Sequence, residues 1–329
     1  MQSRLNAVQY RLWTGEFLSA YVTTMRPYLL FVSGITGLVG LSFVPGIDMF
    51  KASLVFAACF LSYGFGQALT DCFQIDTDSL SAPYRPLTQG IISQMQVLVI
   101  SVLGLISCTS IFALYNPVNL ALGLIGGLGL ATYTPFKRKW WAGPFYNSWI
   151  VVVLCLMAFM TGNEKLSSAL SPSIVPVVIT VFFGYGNFVL AGYFKDISAD
   201  RKTGYNTLPV VFGRKVSAFV SDMFAALTIM PAAVFAVRML GESAKLLPAA
   251  VALAFEAAGI LAAVVAQLRL HRTRTDEEAH AAIAPVVHSY LLTLSSIVCF
   301  EKPEWTAFLV IFYAAFVLVL KVRPAKNQI

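Results

Sequence analysis

Ten blocks of roughly 17–21 mostly apolar residues, separated by short polar segments, constrain this chain more than any other feature. Such blocks are long enough to cross a bilayer core as helices, and a helix is one of the two structures that satisfy every backbone hydrogen bond there. Composition agrees. Of the 329 residues, 58% are hydrophobic and only 12% charged, where a soluble domain carries about 25% charge. The expected fold is all-α, a polytopic transmembrane helical bundle of about nine to ten spans. The spans lie near 28–45, 51–69, 94–114, 117–134, 145–162, 172–192, 217–237, 248–268, 283–300 and 305–322. Asn116-Pro117 and Glu301-Lys302-Pro303-Glu304 make two of the short connections, each stopped by its proline.

Charge orients the spans. With the N-terminus in the cytoplasm, 18 of the 23 Lys and Arg fall on the cytoplasmic side, the asymmetry of the positive-inside rule. An even span count returns the basic C-terminus to that side. Residues 1–27 contain Arg4, Arg11, Glu16 and Arg26 and no apolar core, so they do not read as a cleavable signal. They form either a frayed tail or an interfacial helix with Leu5, Val8, Leu12, Phe17 and Tyr21 on one side. The expected organisation is a cytoplasmic or interfacial segment 1–27, a transmembrane domain 28–300, and an additional span with a basic tail, 301–329. The chain reads as an integral, multi-pass membrane protein, of the inner membrane if bacterial. Net charge +7 points to anionic lipid and not to nucleic acid.

Two acidic segments interrupt this pattern, one after the second span and one after the sixth, both on the cytoplasmic side. In the first, a helix continued from the second span places Gln67, Asp71, Gln74 and Asp78 on one polar stripe. Asp71 and Asp78 are then about 10 Å apart along the axis, and Asp76 points elsewhere. Carboxylates at a membrane helix end are costly unless paired or metal-bound. Hard oxygen ligands without local His or Cys point to magnesium, manganese or calcium.

In the second segment Asp196 and Asp200 are i, i+4 neighbours about 6 Å apart, with Tyr193 on their face. Two carboxylates this close both stay ionised only with cations beside them. Lys195, Arg201 and Lys202 interleave with them. Acids for a metal together with bases for phosphate oxygens suit a magnesium-bound pyrophosphate. Read blandly, the first segment is a solvated acidic loop and the second a ladder of helix-end salt bridges.

The remaining candidates are weaker. The five cysteines contain no CxxC pair and four lie in apolar runs, so they read as buried small hydrophobes. The three histidines are too scattered for a zinc site. A secondary transporter would carry acids at span midpoints, and only Glu256 sits there.

At these residues the chain resembles the UbiA superfamily of intramembrane prenyltransferases, over roughly 20–300. Asp71, Asp76, Asp78 and Pro83-Tyr84-Arg85-Pro86-Leu87 match its first motif. Lys195-Asp196, Asp200-Arg201-Lys202, Gly204 and Thr207-Leu208-Pro209-Val210 match its second. Tyr133-Thr134-Pro135-Phe136-Lys137-Arg138 is similar to its fourth-span end, and Arg26-Pro27 to the entry of its first span. The family's leading asparagine falls here on Thr70, and a common aspartate on Gln74.

The resemblance implies Mg2+-dependent transfer of a prenyl group from a prenyl diphosphate to an aromatic or other electron-rich lipophilic acceptor. Its runner-up is a cyclase of the same fold acting without an acceptor. Asp71, Asp76, Asp78, Asp196 and Asp200 would hold the metal. Asp71, Asp78, Asp196, Asp200, Lys195 and Arg85 would carry catalysis. Arg85, Lys195, Arg201, Lys137, Arg138, Tyr133, Tyr193 and Gln67 would bind substrate. Tyr63, Tyr133, Phe136 or Tyr193 would shield a carbocation.

Overall fold

The computed structural model describes residues 9–163, 168, 171–242 and 246–322. Helices α1 (Gly15–Met25), α2 (Leu30–Ser42) and α3 (Met49–Cys72) come first, followed by the short α4 (Ile75–Ser81) and α5 (Pro86–Gln89). Then come α6 (Gln94–Tyr115), α7 (Val118–Lys137), α8 (Gly143–Met160), α9 (Ile174–Tyr193) and the short α10 (Ile197–Lys202). The chain closes with α11 (Leu208–Glu242), α12 (Leu246–Arg272), α13 (Asp276–Glu301) and α14 (Thr306–Lys321). Among the described residues nine helices are long and apolar enough to cross a membrane, and the bent pair Gly15–Met25 with Pro27–Ser42 makes a possible tenth.

Local sequence sets the helix ends. Ser93 and Gln96 form a reciprocal capping box that starts α6. Asn116 donates to the carbonyls of Met160 and Asn163, at 2.9 and 3.0 Å, tying the α6–α7 corner to the end of α8. The expected first span, 28–45, holds α2, and α1 precedes it across a bend of 45° at Arg26. Helix α1 lays one face on the bundle and leaves Leu18 and Val22 exposed on the other. Phe17 and Tyr21 are buried beside Ala68, Cys72 and Val97 of α3 and α6, and the Tyr21 hydroxyl meets Ser101 Oγ at 2.9 Å. Leu12 is exposed. Leu5 and Val8 lie outside the described residues, as do Arg4, Lys165, Lys245, Arg323 and Lys326 of the charge asymmetry.

Every residue of α2 is buried, and α13 is the other interior helix, 89% buried along its apolar window. Close approach needs small residues. A Cβ on Gly37 would stand 2.3 Å from Cys59 Sγ, and one on Gly40 would stand 2.3 Å from the Cys155 carbonyl. The outward faces of α6, α7, α11 and α12 carry exposed leucine, isoleucine and valine, including Leu103, Ile106, Leu124 and Leu261. That is the apolar belt a lipid-facing surface requires. Helix α14 packs Phe312 and Phe316 on Phe31 of α2, with ring centroids 4.9 and 5.7 Å away.

Candidate active site

The acidic segments break their helices where the sequence reading continued them. Helix α3 ends at Cys72, and α4 begins only at Ile75. The stripe therefore survives only as Gln67–Asp71, where Gln67 Nε2 donates to Asp71 Oδ1 at 2.6 Å. Helix α9 ends at Tyr193, and Asp196 becomes the N-terminal cap position of α10. The two breaks turn the acids inward over the same end of the bundle, which is also the end holding Arg26 and the last turn of α7.

A cavity of about 690 Å3 opens there. Gln67, Asp71, Asp78, Arg85, Tyr133, Lys137, Tyr193, Lys195 and Asp196 line it together. Each carboxylate is held by a cation. One guanidinium nitrogen of Arg26, Nη2, donates to both oxygens of Asp71 at 3.0 and 2.9 Å. Arg85 pairs with Asp78 and stands 3.9 Å from Asp71. Lys195 Nζ lies 3.1 Å from Asp196 Oδ1. Lys137, 6% exposed, instead donates to the neutral Gln74 carboxamide at 2.8 Å. Burial pushes the Asp78 carboxyl up, even against the opposing charge of Arg85. Burial acts on Asp196 too, but Lys195, then Lys137 and Arg85, overcome it and hold that carboxyl below its usual range.

Asp200, Asp76, Arg138 and Arg201 are not on the cavity wall. Asp200 is fully buried behind it, accepting from Thr77 Oγ1 at 3.2 Å and Thr207 Oγ1 at 3.3 Å. Burial raises its carboxyl to about 6, with Lys137 pulling the other way. Asp76 faces outward, taking Arg138 Nη2 at 2.9 Å and the Tyr205 hydroxyl at 3.1 Å. Arg201 is exposed, and Phe136 stacks on Tyr146 with centroids 4.1 Å apart.

Arg26, Gln74, Asn147 and Tyr185 also line the cavity and were not foreseen as site residues. Arg26 had a signal: it is the only charged residue between Glu16 and Asp48. Gln74 was visible only as a departure from a motif, and Asn147 and Tyr185 carried no signal within their apolar spans.

A second, apolar chamber of about 850 Å3 adjoins the first and shares Tyr63, Gln67, Thr70, Asn147 and Tyr185 with it. Leu105, Phe112, Leu130, Ile150, Leu154 and Met157 are among its walls. On the wall of the charged cavity the Tyr133 and Tyr193 hydroxyls share a hydrogen bond of 2.8 Å. A charged cavity joined to an apolar chamber accommodates an amphiphile with a polyanionic head and a hydrocarbon tail. Hard carboxylate oxygens with no thiolate or imidazole on the cavity wall suit a magnesium-type cation. Among the described residues no three acids, histidines or cysteines converge on one point, so such an ion would share the acids with the cations now holding them.

The comparisons with known proteins agree with this geometry. The model of the UbiA prenyltransferase family matches residues 30–292. Digeranylgeranylglyceryl phosphate synthase of Methanococcoides burtonii is 25% identical over 63% of this chain and 76% of its own length. The enzyme of that name from Pyrococcus abyssi is 26% identical over 65% and 76%. A UbiA homologue from Archaeoglobus fulgidus, solved bound to GPP and Mg2+, superposes with a TM-score of 0.65 at 16% identity, over 86% of this chain and 98% of that one.

Proposed function

Because the chain belongs to the UbiA prenyltransferase family, we propose that it transfers a prenyl group from a prenyl diphosphate to a lipophilic, electron-rich acceptor, with its active site at the cytoplasmic end of the bundle. The observation that carries this reading is the junction of the two cavities. The charged one takes the diphosphate, and the apolar one takes the prenyl tail, with C1 at the tyrosine-lined neck. Asp71, Asp78 and Asp196 would hold Mg2+, which supplies charge neutralisation at the leaving diphosphate. Asp200 and Asp76 support that set from behind, through Thr77 and Thr207 in one case and Arg138 and Tyr205 in the other.

The chain's own residues then act as follows. Arg85, Lys137 and Lys195 offer fixed positive charge where negative charge grows as the C1–O bond breaks and its electron pair leaves with pyrophosphate. The rings of Tyr63, Tyr133, Tyr185 and Tyr193 face the developing allylic cation. Burial of the neck keeps water from capturing it. The acceptor's nucleophilic atom bonds to C1 and releases a proton.

The test uses purified protein with geranyl, farnesyl and geranylgeranyl diphosphates, an aromatic acceptor or an isoprenoid glycerol phosphate, and no acceptor at all. Mass spectrometry should find a prenylated acceptor that disappears in EDTA and in Asp71→Ala or Asp196→Ala. Product formed without acceptor, or full activity of either variant, would overturn the reading.

A further inference from the structure

The charges on the cavity wall do not balance. Four cations, Arg26, Arg85, Lys137 and Lys195, face three carboxylates, Asp71, Asp78 and Asp196. Three of the cations each have a carboxylate within salt-bridge distance. The excess sits on Lys137, whose hydrogen-bonded partner on the wall is Gln74, a neutral side chain itself 7% exposed. Among the acids Asp200 acts most strongly on Lys137, and its two oxygens accept from threonine hydroxyls. The Lys137 ammonium is further fixed 5.7 and 5.2 Å from the ring centres of Tyr193 and Tyr205. A carboxamide oxygen thus aims this ammonium without cancelling its charge.

We propose that the Gln74–Lys137 pair is a diphosphate anchor that works without a divalent cation, with Gln74 the residue that leaves the lysine's charge available. The proposal rests on the diphosphate reading of the cavity, and its test is independent of turnover. A carboxylate at position 74 would pair with Lys137 at contact distance in a buried site, where one added negative charge interacts strongly with both the lysine and an incoming anion.

The experiment is calorimetric titration of the detergent-purified full chain with inorganic pyrophosphate in EDTA. The wild type should bind, Gln74→Glu should bind at least about tenfold more weakly, and Lys137→Met should lose binding to a similar degree. Gln74→Glu introduced into Lys137→Met should then cost clearly less than it does in the wild type, because only its repulsion of the anion remains and its pairing with the lysine is gone. Thermal unfolding of each variant, and prenyl transfer by the wild type with Mg2+ present, separate a folding defect and a failure of the prenyltransferase reading from a failure of the anchor. No metal-free binding by the wild type, equal binding by folded Gln74→Glu, or additive losses in the double variant would overturn the proposal.

Discussion

At the scale of single residues, the site is built from buried charges that depend on one another. Arg26 adopts a left-handed conformation, φ +55°, at the bend between α1 and α2. A non-glycine residue in that region costs on the order of 1 kcal/mol or more, and here the twist places the guanidinium against Asp71, which is 4% exposed. Removing the partner of a buried carboxylate costs about 3–5 kcal/mol. Arg26→Ala should therefore lower unfolding free energy in detergent by that order, and adding Asp71→Asn should restore part of it. Full stability of Arg26→Ala would show that Asp71 needs no counter-ion.

Asp200 gives a pH-dependent counterpart. Its folded value of about 6 lies above its ordinary 3.8, so the folded state holds this proton more tightly than the unfolded chain does. Its contribution is intact below about pH 4 and is lost as pH rises through about 6. Asn cannot ionise, so Asp200→Asn should gain on the wild type across that window by up to about 3 kcal/mol. Denaturation of both proteins in EDTA from pH 4 to 7 measures the difference, and a constant gap would contradict it.

At the scale of elements, the apolar blocks and their charged ends were legible because membrane spans are written in composition. The breaks at Phe73–Gln74 and Phe194–Asp196 were not. Neither contains proline or glycine, and local propensity alone extends each helix. Tertiary partners end them: Thr77 on α4 reaches Asp200 on α10, and Asp196 turns to the cavity. The same ties clasp three segments. Tyr205 and Arg138 both hold Asp76, the Arg138 guanidinium lies 4.5 Å from the Tyr205 ring centre, and Asn206 N donates to the Arg138 carbonyl at 3.1 Å. Asp76 and Arg138 are about half exposed, so the clasp contributes little global stability while restricting local opening. Arg138→Ala and Tyr205→Phe should speed hydrogen exchange across 197–207 and tryptic cleavage after the exposed Arg201 and Lys202. The thermal midpoint should barely change. Unchanged exchange would show that the loop is held by its own helix alone.

At the scale of the whole molecule, the proposed reading puts chemistry in the charged cavity at one end of the bundle and the prenyl tail in the apolar chamber, so donor chain length should be tunable without touching the chemistry. The apolar chamber is bounded on one side by α7, where Gly126 and Gly127 leave the wall without side chains. A Cβ on Gly126 would sit at 3.7 Å from Val153, an ordinary contact, so the backbone accepts a side chain there. Anything longer than alanine must extend into the chamber, because α8 already fills the space beside it. Gly126 is more than two helical turns from Lys137, well clear of the charged cavity. Gly126→Leu should therefore leave turnover of a ten-carbon donor near wild type and raise KM for a twenty-carbon donor by tenfold or more, the order expected when several buried methylenes lose their place at about 0.8 kcal/mol each. Gly126→Ala should be close to neutral for both. If Gly126→Leu slowed both donors equally, the tail would run elsewhere, between the helices toward lipid, and the chamber would be a packing void and not the tail site.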